Sequence, residues 1–242
     1  MRIGVFSDIH GNLEALEIVL NAIQNESIDQ VICTGDLVGY GPDPNPCVER
    51  TLAFADIIVA GNHDHGAAGV IDIENFNKAA RHAIEWTQSE LTTETKQALI
   101  QLPMIMVGPD ITIVHATPDE PEKWIYMATY GDIYHSFDAL TTRLCLVGHS
   151  HTPTVFGLNN ENQISINQEK KVSLEENISY IINVGSVGQP RDDDPRTCYG
   201  ILDLDKQEFE IKRLKYPIEK VQEKMKKKNL PSSLIERLAI GK

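Results

Sequence analysis

Positive charge is scarce in this chain. Its 242 residues carry 22 lysines and arginines against 35 aspartates and glutamates, a formal net charge of −13. That balance, and the lack of a basic stripe, argues against stable nucleic-acid binding, because phosphate backbones are repelled at long range. It leaves room for a small phosphorylated ligand, because cations held inside a site invert the field locally. Cysteine is scarce too. Cys33, Cys47, Cys145 and Cys198 are far apart and form no C-x-x-C pair. This excludes a disulfide framework and a zinc ribbon and suits a reducing compartment. Cys33 and Cys145 lie inside apolar runs and read as buried strand thiols. No apolar run is long enough to cross a membrane, and "MRIGVFSDIHG" opens on a strand pattern, not on a signal peptide. A cytoplasmic protein without membrane contact is expected. Repeats, low-complexity tracts and linkers are missing as well, so residues 1–242 are expected to form a single domain.

What is present is alternation. "RIGVF" reads as a buried strand, and "NLEALEIVLNAIQ" follows with Leu13, Leu16, Val19, Leu20 and Ile23 at helical spacing. "QVICTG" and "DIIVAG" are further strands, with a helix in "NPCVERTLAF" between them. This order predicts parallel strands with crossover helices. "NFNKAARHAIEWTQSEL" and "TETKQALIQL" read as helices, the second stopped by Pro103. "MIMVG" and "ITIVHA" read as a hairpin joined by "PD", and "RLCLVG" as another strand. From Thr154 to Leu214 short strands with turn signals follow one another. Two helices broken at Pro231 end the chain. One α/β domain of two sheets with helices outside is the expected architecture.

The polar residues cluster at strand ends, where open α/β sheets bind ligands. "SDIHG" brings Asp8 and His10, "GDLVG" brings Asp36, and "GNHDH" brings Asn62, His63 and Asp64. His115 follows "ITIV", and "GHSH" brings His149 and His151. Gly11, Gly35, Gly39, Gly61 and Gly148 flank these blocks and allow sharp turns or close approach. Asp8, His10, Asp36, Asn62, His115, His149 and His151 form a mixed nitrogen and oxygen donor set, which suits manganese, iron or zinc better than calcium or magnesium. Seven ligands exceed the needs of one ion and suffice for two if a carboxylate bridges. Asp36 is the bridging candidate, because its strand is expected between the other two. Such paired ions lie roughly 3.5–4 Å apart and clamp both oxygens of an in-line displacement at phosphorus.

In order, these blocks read D-x-H, G-D, G-N-H-D, a histidine, and G-H-x-H. The sequence resembles the calcineurin-like metallophosphoesterases, and "GDLVGYGPDPN" and "NVGSVGQPRD" extend the likeness to a small prokaryotic subgroup over nearly the whole chain. The resemblance implies a four-layer α/β/β/α sandwich of two mixed β-sheets flanked by helices, the metallo-dependent phosphatase fold. It implies two divalent or trivalent ions, one on Asp8, His10, Asp36 and His151, the other on Asp36, Asn62, His115 and His149. It makes His63 the proton donor or transition-state stabiliser, with Asp64 accepting from its other ring nitrogen. Hydrolysis of a phosphoric ester by a metal-bound hydroxide is the implied reaction, on a phosphodiester or nucleotide, with a dinucleoside polyphosphate or a phosphoprotein as alternatives on the same site and a catalytically silent scaffold as the alternative that the intact ligand set argues against. Two departures stand out: Val114 precedes the third-block histidine where the family often has glycine, and "NVGS" has valine where the subgroup commonly has proline.

The remaining candidates lie outside these blocks. Arg191 is expected to bind substrate phosphate, against a loop ion pair with Asp192, Asp193 or Asp194. Tyr40 is expected to line the pocket, against a packed turn tyrosine. His65 reads as a surface loop histidine. His82 and Trp86, one helical turn apart, read as helix packing, and the lysines of "EKMKKK" as a solvated face.

Overall fold

The computed structural model describes residues 1–242, which form two six-stranded sheets packed face to face. The strands are β1 (Arg2–Phe6), β2 (Gln30–Cys33), β3 (Ile57–Ile58), β4 (Ile105–Val107), β5 (Ile111–Val114), β6 (Leu144–Val147), β7 (Thr154–Leu158), β8 (Ile164–Asn167), β9 (Lys171–Ser173), β10 (Ser179–Asn183), β11 (Thr197–Asp203) and β12 (Glu208–Leu214). The helices are α1 (Leu13–Gln24), α2 (Pro44–Phe54), α3 (Asn62–Ala68), α4 (Lys78–Glu90), α5 (Thr93–Gln101), α6 (Tyr130–Asp138), α7 (Ile218–Lys227) and α8 (Ser232–Arg237).

One sheet runs β3-β2-β1-β11-β12-β9 and the other β4-β5-β6-β10-β7-β8. β1, β2 and β3 are mutually parallel, as are β5, β6 and β10. The other pairings are antiparallel, including the expected hairpin of β4 and β5. β2 lies between β1 and β3, so the loop carrying Asp36 is central, as the strand order predicted.

Alternation along the strands fills two layers at once. In β6, Leu144 and Leu146 enter the core between the sheets, while Cys145 and Val147 face α6. Helices α1 to α5, α7 and α8 cover the outer face of the first sheet. In α1 the stripe Leu16, Val19, Leu20 and Ile23 is buried there, each side chain contributing about 1.5–3 kcal/mol. Asn12 caps that helix by accepting from the Ala15 amide at 3.1 Å. The result is the α/β/β/α sandwich with mixed sheets. No helix is long and apolar enough to cross a membrane.

Two helices were not anticipated. α6 is short and announced mainly by its capping box, in which Thr129 and Asp132 satisfy each other's amides. α3 consists of Asn62, His63, Asp64, His65, Gly66, Ala67 and Ala68, has no apolar stripe, and is buried throughout. The site itself packs around it.

Candidate metal centre

β1, β2, β3, β5 and β6 deliver their polar blocks to one rim of the sandwich, and the loops there are tied together by backbone hydrogen bonds. The amides of Asp8, His10 and Gly11 donate to the carbonyls of Gly35, Asp36 and Leu37 at 2.9, 3.0 and 2.9 Å. From the far side, the amides of Val187 and Gly188 donate to the carbonyls of Ser7 and Asp8, both at 2.9 Å. This lattice holds five non-glycine residues in the left-handed region: Asp8, His10, Asp36, His149 and His151, with φ between 49° and 68°. Such conformations cost on the order of 1–3 kcal/mol each and persist where the surroundings over-determine them. They turn each side chain back over the strand ends.

The histidine rings are oriented by one device. Nδ1–H of His10 donates to the Val38 carbonyl at 3.0 Å, that of His115 to Thr34 at 2.7 Å, and that of His151 to Gln189 at 2.5 Å. His149 is turned the other way, its Nε2–H donating to the Trp124 carbonyl at 2.9 Å. A neutral imidazole has one N–H, so each ring presents its remaining lone pair inward. His10 and His151 then face each other with bare Nε2 atoms 3.0 Å apart. Asp8 Oδ1 lies 3.3 Å from His151 Nε2 and 3.7 Å from His10 Nε2.

The carboxylate of Asp36 joins this group to a second. Its Oδ1 accepts from the His63 amide at 2.9 Å. Its Oδ2 faces His10 Nε2 at 3.6 Å on one side and His115 Nε2 at 3.2 Å on the other. Asp8, His10 and His151 form one cluster able to hold an ion, and Asp36, His115 and His149 form another. Asn62 Oδ1 is buried without a hydrogen-bond partner, and His115 Nε2 meets only the Asp36 carboxylate. An unpaired acceptor and facing lone pairs at a buried site fit bound cations. The electrostatics agree. Burial pushes Asp8 up to about 7 despite His115 nearby, and holds His149 down to about 3. Burial lowers His115 as well, but Asp36 and Asp8 outweigh it and lift the imidazolium to about 9, a charge that a cation would replace.

His63 lies beside this cluster. Its ring packs on Tyr40 at 4.4 Å, on His10 at 4.7 Å and against Phe76 at 5.3 Å. Gly39, with φ of +129°, leaves it room, since a Cβ there would collide with the His63 ring. Gly61 does the same for Asp36, whose Oδ1 occupies the space a Cβ would need. Burial, partly offset by Asp36, lowers His63 to about 4, so the ring is neutral near pH 7.

Asp64 departs from expectation. It accepts nothing from the His63 ring, whose Nδ1 has no partner. Its oxygens instead accept the amides of Asp36, Leu37 and Gly61 at 2.8, 2.8 and 2.9 Å, and of Val38 at 3.2 Å. Asp64 therefore fixes the loop that carries Asp36, while aromatic packing orients His63. His65 also differs: it is buried in α3, with Trp124 edge-on at 5.8 Å, because the helix turns it inward. His82 is exposed on α4, away from the cluster, while Trp86 packs against the core with Lys228 over its ring.

Tyr40 is 7% exposed and its ring lies tilted against His10 at 4.4 Å, so it lines the site. Arg191 Nη2 donates to Tyr40 Oη at 3.2 Å and to Gln189 Oε1 at 3.0 Å. The loop ion pair does not form. Asp192 pairs with Arg213, Asp194 with Arg196, and Asp193 with Lys242 at 3.3 Å. The sequence reading missed Trp124, which anchors His149, and Tyr126, whose ring stacks on His149 at 4.1 Å. It also missed Gln189 and Arg237. Only the aromatic pair in "EKWIYM" offered a signal.

A histidine and aspartate cluster on this rim of an α/β/β/α sandwich defines the metallo-dependent phosphatase fold. The pattern of the calcineurin-like phosphoesterase superfamily domain matches residues 1–207. An uncharacterized protein of Methanocaldococcus jannaschii is 42% identical over 246 residues, spanning 99% of this chain and 98% of that one. The crystal structure of a metallophosphoesterase from Sphaerobacter thermophilus is 39% identical and superposes with a TM-score of 0.85, covering 100% of this chain and 99% of that one. A symmetrical bis(5'-nucleosyl)-tetraphosphatase of Erwinia tasmaniensis is 28% identical over 123 residues, 50% of this chain and 45% of its own. The chain belongs to the calcineurin-like phosphoesterase superfamily, and that membership supports hydrolase activity.

Proposed function

We propose that the protein hydrolyses phosphoric esters at a two-metal centre, with phosphodiesters or nucleotides as substrates. The observation that carries this reading is the carboxylate of Asp36, one oxygen of which faces both histidine clusters. Asp8, His10, Asp36 and His151 would hold one ion, and Asp36, Asn62, His115 and His149 the other. By donor type these are manganese, iron or zinc. When bound, the ions lower the pKa of water, polarise the phosphoryl oxygens and offset the site's carboxylates.

The chain's own residues do the rest. The carbonyls of Val38, Thr34, Gln189 and Trp124 keep the four imidazoles aimed inward, so no reorganisation is needed during reaction. His63, held by Tyr40 and Phe76 and neutral near pH 7, directs its N–H at the leaving oxygen and stabilises the charge that develops there, while the proton that the departing alcohol needs comes by way of the attacking water. Asp64 keeps the Asp36 loop in place. Arg191, free of carboxylates, binds a phosphate oxygen beside Tyr40.

Chelator-stripped protein should regain hydrolysis of an aryl phosphodiester or its monoester on adding Mn²⁺. Activity on neither, with metal bound, would overturn hydrolysis of simple esters and favour a binding role on the same fold or a closed, highly selective pocket. A dinucleoside polyphosphate is the second reading. It is supported by the partial likeness to the bis(5'-nucleosyl)-tetraphosphatase and by the arginine at the rim. A small phosphorylated substrate, without nucleic-acid or membrane partners, fits the net charge of −13.

A further inference from the structure

We propose that Arg237, on α8, joins Arg191 to form a seat for a second phosphate group, next in line to the one being cleaved. The proposal rests on the function above and narrows its substrates to those with two or more linked phosphates.

Both guanidinium groups converge on one acceptor. Gln189 Oε1 receives Arg191 Nη2 at 3.0 Å, Arg191 Nε at 3.3 Å and Arg237 Nη1 at 3.2 Å. Two like charges thus lie within two hydrogen-bond lengths of each other around a neutral amide. Neither has a carboxylate within salt-bridge distance, whereas Arg2, Arg50, Arg81, Arg196 and Arg213 each do, and Arg143 alone of the rest pairs with neutral groups on another face. This occurs in a chain with 35 acidic residues, three of them at 192–194. Gln189 is 1% exposed and its Nε2 lacks an acceptor, so the seat gathers donors that no carboxylate pairs with directly. Burial and the neighbouring Arg191 depress Arg237, as expected of a cation waiting for an anion. Guanidinium forks suit the oxygens of a phosphate.

The seat has a direction. Gln189 also accepts, through its main-chain carbonyl, the Nδ1–H of His151. Arg191 touches Tyr40, which packs against His10 and His63, while Arg237 reaches only Gln189. Arg191 is therefore the inner cation and Arg237 the outer one. A phosphate on Arg237 lies beyond the one at the metals, as the next group of a phosphate chain would. α8 places the arginine firmly: Leu234, Ile235 and Leu238 are buried, and the Gly241 carbonyl accepts the Asp193 amide at 2.9 Å.

The test uses the full chain loaded with Mn²⁺ and calorimetric binding of inorganic pyrophosphate and orthophosphate. Wild type should prefer pyrophosphate. Arg237→Ala should weaken pyrophosphate about tenfold more than orthophosphate, with Arg237→Lys between them. Kinetically, KM for diadenosine tetraphosphate should rise more than KM for an aryl diester, with kcat much less affected. Equal losses for both anions, or none, would overturn the seat. If Arg237→Ala fails to fold, the Arg237→Lys variant and the wild-type preference decide it, and no preference in wild type overturns it. Pyrophosphate preference without hydrolysis of any ester would sink the proposed function and leave the seat standing.

Discussion

The histidine cluster and the arginine seat beside it are built by opposite means. In the cluster, short side chains leave strand ends whose backbones are tied loop to loop, and five residues are held in the left-handed region. In the seat, two long side chains from a loop and a helix meet over one glutamine. The first arrangement resists change and suits chemistry, which needs fixed geometry. The second adjusts by rotamer and suits recognition of groups that vary between substrates. Rigidity in this molecule follows the backbone, and selectivity follows the side chains.

Substitutions should separate the two regions. Asp36→Ala removes the oxygen shared by both clusters. Metal content should fall below two ions per chain and turnover by more than about 10³-fold. Retention of both ions by elemental analysis would refute the shared-carboxylate geometry. His63→Ala should keep the metals and lose on the order of 10²–10³ in kcat. Loss of metal instead would move His63 into the cluster. Asp64→Ala strips the acceptor from four amides, three of them in the Asp36 loop, and a denaturant melt should show about 3 kcal/mol lost or more. An unchanged melting profile would mean the loop is held without it. Arg191→Ala should raise KM about tenfold with a smaller change in kcat, the signature of recognition and not of chemistry.

The smallest effect lies away from both regions. Glu14 is buried, which raises its carboxyl, but Lys224 and Lys220 outweigh this and hold it below its ordinary value. A depressed carboxyl contributes stability above its unfolded value of about 4.3, and loses it as pH falls through the lower folded value. Glu14→Gln should flatten the acid limb of stability below that pH and leave metal affinity alone.

The sequence was legible where chemistry and periodicity coincide. Asp8, Asp36, Asn62, His115 and His149 each follow an apolar run, and the run both predicts the strand and fixes the end at which the ligand emerges. α3 was illegible because its residues carry no apolar stripe, their burial being supplied by the surrounding loops. Asp64 was misread for a related reason. Its neighbour in sequence is His63, but its partners in space are amides at positions 36 to 38, brought there only by the parallel pairing of β2 and β3. Arg237 gave no sign at all, since "SSLIERL" reads as any short surface helix until Gln189 is placed beside it.

The antiparallel pairing of β1 with β11, from Arg2 opposite Asp203 to Val5 opposite Gly200, carries a further consequence. β1 leads into the loop of Asp8 and His10 yet is flanked on one side by a strand made almost two hundred residues later. Closing so long a loop is slow compared with local folding. During synthesis, then, the ligands are present long before the sheet that aims them is complete, and the order in which the chain is made is not the order in which its site is assembled.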